Sequence, residues 1–147
     1  MSISSRPSPR RPSLLEFNVQ VLKREDLLVD EVEKILSMPS HNARSVIGGT
    51  SSTAYRRVHE IVASALDRLA GSAQRDLSLL VDLSKALILI RYQAARGQIS
   101  DALANYIDDV IRGVIDTAKA SWEEAKRVAR NARTLLDALA VLVYEYT

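Results

Sequence analysis

The sequence predicts an all-α protein, a compact bundle of five to six helices that follows a disordered N-terminal arm. Three observations predict this class. Apolar residues recur every three or four positions over four long segments, which is the period of one helix face. Glycine and serine stand between those segments, where helices end and begin. With 47% hydrophobic and 26% charged residues in a chain of 147, the composition is that of one globular domain, expected over 14–147.

The N-terminal part divides into four pieces. Residues 1–13 hold five serines, three prolines and three arginines, which is typical of a disordered basic arm and lacks the apolar core of a signal peptide. Residues 14–22 stay open between helix and strand, because apolar and polar residues alternate after a possible helix start. A helix is expected from about 24 to 36. The segment 37–52, with a proline and two adjacent glycines, is expected to be a loop.

Four longer helices are expected over 53–70, 74–96, 101–119 and 122–146. The second is apolar on most sides, which predicts a central, buried helix. Gly113, inside the third, is expected to permit a close contact with another helix. The last carries a long apolar stripe, which packs either within the chain or across an oligomer. Its members are Trp122, Ala125, Ala129, Ala132, Leu136, Leu139, Val143 and Tyr146.

Several function classes are disfavoured. The chain has no cysteine, which excludes disulfide scaffolds, thiol nucleophiles and cysteine zinc sites. No apolar run is long enough for a membrane span, so a cytoplasmic protein without a membrane partner is expected. His59 and Glu60 are adjacent on a helix and point apart. Asp108, Asp109 and Asp116 share a helix face without a second acidic motif. We therefore expect no enzyme, no metal and no cofactor.

The basic residues are more informative than the acidic ones. The segments 52–70, 72–97 and 120–133 are net cationic, whereas 14–36 and 100–119 are net acidic. Aromatic residues make up only 5%, so any nucleic acid is expected to be held by its backbone rather than by stacked bases. The candidate RNA-binding residues are Arg56, Arg57, Arg91, Arg96, Lys126, Arg127, Arg130 and Arg133.

The last four of these candidates form a basic stripe on the final helix, and its interpretation stays open. Like charges one turn apart destabilise a helix slightly, so an anion covering them would explain the pattern. The stripe is otherwise a solvated face or the contact of a protein partner. On the solvated face, Glu123 can pair with Arg127 and Asp137 with Arg133. Arg56 can likewise pair with Glu60, one helical turn later.

Three short runs resemble a known family in their order and spacing. They are Ser52-Thr-Ala-Tyr-Arg-Arg-Val58, Tyr92-Gln-Ala-Ala-Arg96 and Leu135-Leu-Asp-Ala-Leu-Ala-Val141, the last followed by Tyr144 and Tyr146. Over residues 50–146 the chain resembles the small helical subunit of type III-A (Csm) CRISPR–Cas effector complexes. Two positions depart from that family's pattern: Ala54 stands where a glutamine is usual, and Leu89 where a basic residue is usual.

The resemblance implies a non-catalytic RNA-binding subunit. Such a subunit lines the guide RNA–target RNA duplex and contacts other effector-complex subunits and further copies of itself. By position in the runs, it implies that Arg56, Arg57 and Arg96 contact RNA, whereas the other five candidates rest on the charge pattern alone. The alternative is a helical protein-interaction module or homodimer that does not bind nucleic acid, which the apolar stripe of the last helix favours.

Overall fold

The computed structural model describes residues 14–147, which form seven helices and no strand. The all-α class is therefore confirmed, but the expected count of five to six helices is too low. The arm expected over 1–13 lies outside the described residues. None of the helices within 14–147 combines the length and apolar character that crossing a membrane requires. The helices are α1 (Gln20–Lys23), α2 (Glu25–Leu36), α3 (Ser40–Ile47), α4 (Ser52–Ala70), α5 (Leu77–Ala95), α6 (Asp101–Ala120) and α7 (Trp122–Glu145).

The prediction of a loop over 37–52 is wrong, because this segment contains α3. Val46 and Ile47 are buried on its inner side. Pro39 stands just before the helix, where a missing N–H costs nothing, and Gly48 ends it with a φ of 55° that favours glycine. The proline and the glycine therefore mark the two ends of a short helix rather than a continuous loop.

The open segment 14–22 leads into α1, a single helical turn. A helix this short is not stable by itself. Side chains of α7 supply partners for its last carbonyls: Asn131 Nδ2 donates to the oxygen of Leu22 at 2.8 Å, and Arg127 Nη2 donates to that of Lys23 at 2.9 Å. Contacts distant in sequence therefore decide the conformation that the local pattern left open.

The last helix, α7, is the central one. It packs against α1, α2, α4 and α6. Its apolar stripe is buried from Trp122 to Val143, and Tyr146 is half-buried. Ser121 begins the helix by accepting a hydrogen bond from the N–H of Glu124. The stripe is thus used inside the chain, so it does not provide the oligomer interface that the alternative function would need.

The prediction that the apolar helix α5 is central is wrong. One side of α5 packs on α4 and α6. Its buried residues are Leu83, Ala86, Ile90 and Gln93. The side that faces away from this core is also apolar, and its large side chains are exposed: Leu77, Val81, Ile88 and Tyr92. Apolar residues around the whole of this helix therefore reflect a second face that no other part of 14–147 covers.

Gly113 permits a close contact, but with the N-terminal segment that includes α1 rather than with a helix alone. The N-terminal segment crosses α6 at this glycine, where a Cβ would lie 3.2 Å from Leu22 Cδ1 and 3.3 Å from Val19 Cγ2. Beside it, the ring of Phe17 packs edge-on against Tyr106 at 5.5 Å between centroids. A larger residue at position 113 would push this segment away from the core.

Candidate nucleic-acid interface

Two short connections hold the start of α4 beside the end of α5. The N–H of Ser51 donates to the oxygen of Gln98 at 2.8 Å, and the N–H of Ser100 donates to Thr50 Oγ1 at 2.9 Å. The Ser100 hydroxyl donates to the oxygen of Val46 at 2.6 Å. These bonds join segments that are distant in sequence. They therefore bring the run Ser52–Val58 and the run Tyr92–Arg96, two of the three on which the resemblance rests, onto one surface.

An open cavity of about 440 Å³ lies on this surface and brings together three of the predicted residues, Arg56, Arg57 and Arg96. We call it the arginine cleft. Arg56 and Arg57 come from the first turns of α4, and Arg96 ends α5. The other lining residues are Ser51, Thr53, Ala54, Glu60, Gln93 and Gln98.

The cleft opens on the N-terminus of α4. The Ser51 hydroxyl accepts from the N–H of Ala54 at 3.2 Å, and the Ser51 carbonyl accepts from Tyr55 at 2.9 Å. The N–H groups of Ser52 and Thr53 have no acceptor within residues 14–147. Free N–H groups at the start of a long helix attract anions, because the helix dipole adds to their partial charges.

The three arginines of the cleft are not neutralised by carboxylates. Within the described chain, no carboxylate oxygen lies within 4 Å of a side-chain nitrogen of Arg56, Arg57 or Arg96. The pair that spacing allows between Arg56 and Glu60 is therefore not formed. The Arg96 guanidinium instead lies over the ring of Tyr92, at 5.4 Å from its centroid. With one acid among its lining residues, the cleft carries a net positive charge.

Gln93 is a cleft residue that the sequence analysis does not predict. It is only 8% exposed, and its side-chain amide forms no hydrogen bond within residues 14–147. Neither amide atom is among the buried polar atoms of the described chain that lack a partner, so the amide is open to the cleft and is available to bond a molecule bound there. A signal is present in the sequence: Gln93 follows Ala86 by two helical turns, which places a polar residue on the buried side of an apolar helix.

Arg91 does not join the cleft. It faces α6, where its Nε lies 3.8 Å from Asp108 Oδ1 while the side chain stays 71% exposed. The other oxygen of that carboxylate accepts from Arg112 Nε at 2.7 Å. An RNA phosphate at Arg91 would therefore meet an acidic helix, in contrast to the cleft.

The acidic residues of α6 do not assemble a metal site. Partial burial, and next the charge of Asp108, raise the pKa of Asp109. Asp109 and Asp116 line a second cavity of about 570 Å³ together with Phe17 and Gly113. Among residues 14–147, no three histidine, aspartate or glutamate side chains come close enough together to hold a metal ion.

The basic stripe of α7 is largely paired with acids. Lys126 lies 3.7 Å from Glu123. Arg133 pairs with Asp137, as the spacing predicts, and its Nε lies 3.4 Å from Asp67 of α4. Arg130 is exposed, and within the described part of the chain no carboxylate lies within 4 Å of it. Most of this stripe therefore acts inside the fold, and Arg130 is the member that stays free for an anion.

Arg127 connects α7 to the N-terminal helices. Its Nη1 donates to Glu25 at 2.8 Å, and it also pairs with Glu124 of its own helix rather than with Glu123. Backbone hydrogen bonding at the start of α2, and next the bond from Arg127, lower the pKa of Glu25. Together with its bond to the α1 carbonyl of Lys23, these contacts give Arg127 a structural role.

We expect Arg127→Ala to lower the midpoint of thermal unfolding by a few degrees, because α1 and α2 lose their polar contacts with α7. Circular dichroism at 222 nm on heating measures this. The matched control is Arg130→Ala, which removes the same charge from an exposed position of the same helix and should leave the midpoint unchanged. Equal midpoints for the two variants would contradict the structural role of Arg127.

Comparison of the chain with protein-family models, with curated proteins and with solved structures finds no match. The arginine cleft is the strongest feature, since it combines three cations without a carboxylate partner, a helix N-terminus and a side-chain amide that is free to bond a ligand.

Proposed function

We propose that the chain is a non-catalytic RNA-binding subunit of a type III CRISPR ribonucleoprotein effector, a cytoplasmic assembly in which it lines the guide RNA–target RNA duplex beside other subunits. One observation carries the proposal. Arg56 and Arg57 come from one run of the resemblance and Arg96 from another, and all three line the same cleft.

The chemistry of the cleft suits a phosphate of the RNA backbone. A guanidinium can donate two parallel hydrogen bonds to a phosphate, and the amides at the start of α4 donate along the helix axis. Gln93 can donate one more bond from the floor of the cleft. Backbone contacts of this kind carry no sequence information, which is what a subunit that follows any guide needs.

The lining of the cleft also supports a role without catalysis. It contains neither a histidine nor a pair of acids, and Glu60 is its one carboxylate. RNA cleavage by side chains alone usually requires a general base that takes the proton of the attacking 2′-hydroxyl and a general acid that protonates the leaving oxygen. The cleft therefore supports binding rather than cleavage.

The double variant Arg56→Ala with Arg57→Ala tests the proposal. We expect it to weaken binding of a fluorescent single-stranded RNA by about 10- to 100-fold, or about 1.4–2.7 kcal/mol. This is less than two bonds to charged groups at roughly 1.5–3 kcal/mol each, because the remaining cations compensate for part of the loss. The slope of log affinity against log salt should fall by about 1.4, or about 0.7 for each phosphate that is no longer bound. Fluorescence anisotropy over a salt series measures both, and two RNAs of unrelated sequence should respond equally.

The control is Lys34→Ala with Lys119→Ala, which changes the net charge equally at exposed positions outside the cleft. This control should bind nearly as the unaltered chain does. An equal loss in both double variants would mean that overall charge, not the cleft, binds RNA. Unchanged binding in the arginine variant would reject the cleft as the RNA site.

The second candidate function is a protein-interaction module or homodimer that does not bind RNA. The α7 stripe no longer supports it, since that stripe is buried within the chain. The exposed apolar face of α5 does favour contact with another protein surface. A contact between protein surfaces through α5 is also compatible with RNA binding, because a subunit that repeats along an RNA duplex contacts its neighbours as well.

A further inference from the structure

The outer side of α5 carries the most concentrated exposed apolar surface of residues 14–147. Four of the eleven large apolar side chains that are exposed lie on this one helix. Leu77 is 57% exposed, Val81 52%, Ile88 69% and Tyr92 56%, and they follow one another at helical spacing with Ser84 between them. We call these five residues the α5 stripe. Large apolar side chains aligned on one exposed helix face favour an interaction site.

The α5 stripe has the same pattern in both directions along the helix. The midpoint of the stripe lies between Ser84 and Lys85. Leu77 and Tyr92 are equally far from it on opposite sides, and so are Val81 and Ile88. A second copy running antiparallel about that midpoint would therefore set Leu77 against Tyr92 and Val81 against Ile88. The small side chain of Ser84 would lie where the two helices come closest.

The charges beside the stripe match in the same register. With a rise of about 1.5 Å per residue, Asp82 of one copy would lie within one helical turn of Lys85 of the other, and Asp76 within one turn of Arg91. Asp76 and Lys85 are exposed, and the Arg91 side chain is 71% exposed beside Asp108. Asp82 is 28% exposed and pairs with Arg68 of α4 at 3.2 Å, so Lys85 of a second copy would share this carboxylate with Arg68. In a parallel pair, each charged residue would instead lie beside the same residue of the other copy, so like charges would meet.

Self-complementarity of this kind is the requirement of a two-fold interface, in which one patch must contain both members of every contact. Regular helical spacing alone would let any apolar helix cover the stripe, whereas the placement of opposite charges on the two sides of the midpoint favours a second copy. We propose that two copies of this chain associate through their α5 helices, packed antiparallel with the midpoint on the two-fold axis. This inference does not rest on RNA binding and can be tested without RNA.

The first test is the mass of the chain in solution as a function of concentration, by light scattering on a sizing column. We expect the unaltered chain to approach twice its 16.3 kDa at high concentration. Ile88→Glu should raise the dissociation constant at least 10-fold, since each interface would receive two buried carboxylates. Because Ile88 is 69% exposed, the monomer should stay folded, which circular dichroism checks.

The matched control is Val141→Glu, a similar change at an exposed apolar residue of α7. It should leave the dimer intact. A chain that stays at 16.3 kDa up to millimolar concentration overturns the proposal, and so does a dimer that Ile88→Glu leaves unchanged. A dimer that only Val141→Glu dissociates would place the interface on α7 and also overturns it.

The second test measures the register and uses the absence of native cysteine. Val81→Cys and Ile88→Cys chains are prepared separately and then mixed under mild oxidation. The mixture should form a disulfide-linked dimer faster than either variant alone, because antiparallel packing sets position 81 against position 88 and keeps like positions too far apart for a disulfide. Equal crosslinking by Val81→Cys alone would overturn the antiparallel register.

Discussion

Leu136→Glu should unfold the chain rather than dissociate an oligomer. Leu136 is 3% exposed and belongs to the central helix α7. The change removes leucine packing, worth about 2–5 kcal/mol, and adds the desolvation of a carboxylate, worth several more. That sum is comparable with the whole stability of a typical domain, about 5–15 kcal/mol. Far-UV circular dichroism should show loss of helix at 25 °C, and the variant should elute early or aggregate on a sizing column.

Val141→Glu is the control for this prediction as well, because Val141 lies on the same helix and is 45% exposed. It should unfold at nearly the temperature of the unaltered chain. If Leu136→Glu folded normally and changed only the oligomeric state, the stripe of α7 would be an interface between chains, and its burial within one chain would be refuted.

Trp122→Ala should lower the free energy of unfolding by about 3–5 kcal/mol. Trp122 is 9% exposed at the start of α7, and its Nε1 donates to the Ser72 hydroxyl at 2.9 Å, in the connection that follows α4. The alanine variant loses both the packing of the indole and this bond. Since Trp122 is the single tryptophan, unfolding by urea is followed by circular dichroism instead of fluorescence.

Trp122→Phe separates the two contributions. It keeps most of the aromatic packing and loses the hydrogen bond, so we expect a loss of about 1 kcal/mol. The slope of the unfolding free energy against urea should stay the same in all three proteins, because they bury similar surfaces. A loss for Trp122→Ala no larger than that for Trp122→Phe would show that the indole contributes little packing at this position.

The sequence predicts the helices of this fold better than their arrangement. Periodicity locates α2, α4, α6 and α7 closely, because each has one apolar face and one polar face. It misplaces α5, since a helix that is apolar all round is equally consistent with a central position and with a second, uncovered face. It misses α3 because a proline and glycines close together suggest a loop, although they can also limit a short helix.

The residues of the candidate site are likewise predicted only in part. Arg56, Arg57 and Arg96 are predicted from short runs, and the bonds of Ser51 and Ser100 explain why they meet. The basic stripe of α7 could not be assigned from spacing, because the acids that pair with Arg127 and Arg133 include Glu25 and Asp67, on helices distant in sequence. The pattern of charges gives no sign of Gln93, because an amide carries no charge.

The central position of α7 has a consequence for folding during synthesis. The ribosome makes α7 after the other six helices, yet α1, α2, α4 and α6 all pack against it. At about 5–20 residues per second, the emerging chain therefore carries uncovered apolar helix faces for on the order of ten seconds before its core can close. We therefore expect chaperones that bind apolar segments to have access to the nascent chain during that interval, and we expect the full core to close only after α7 leaves the exit tunnel.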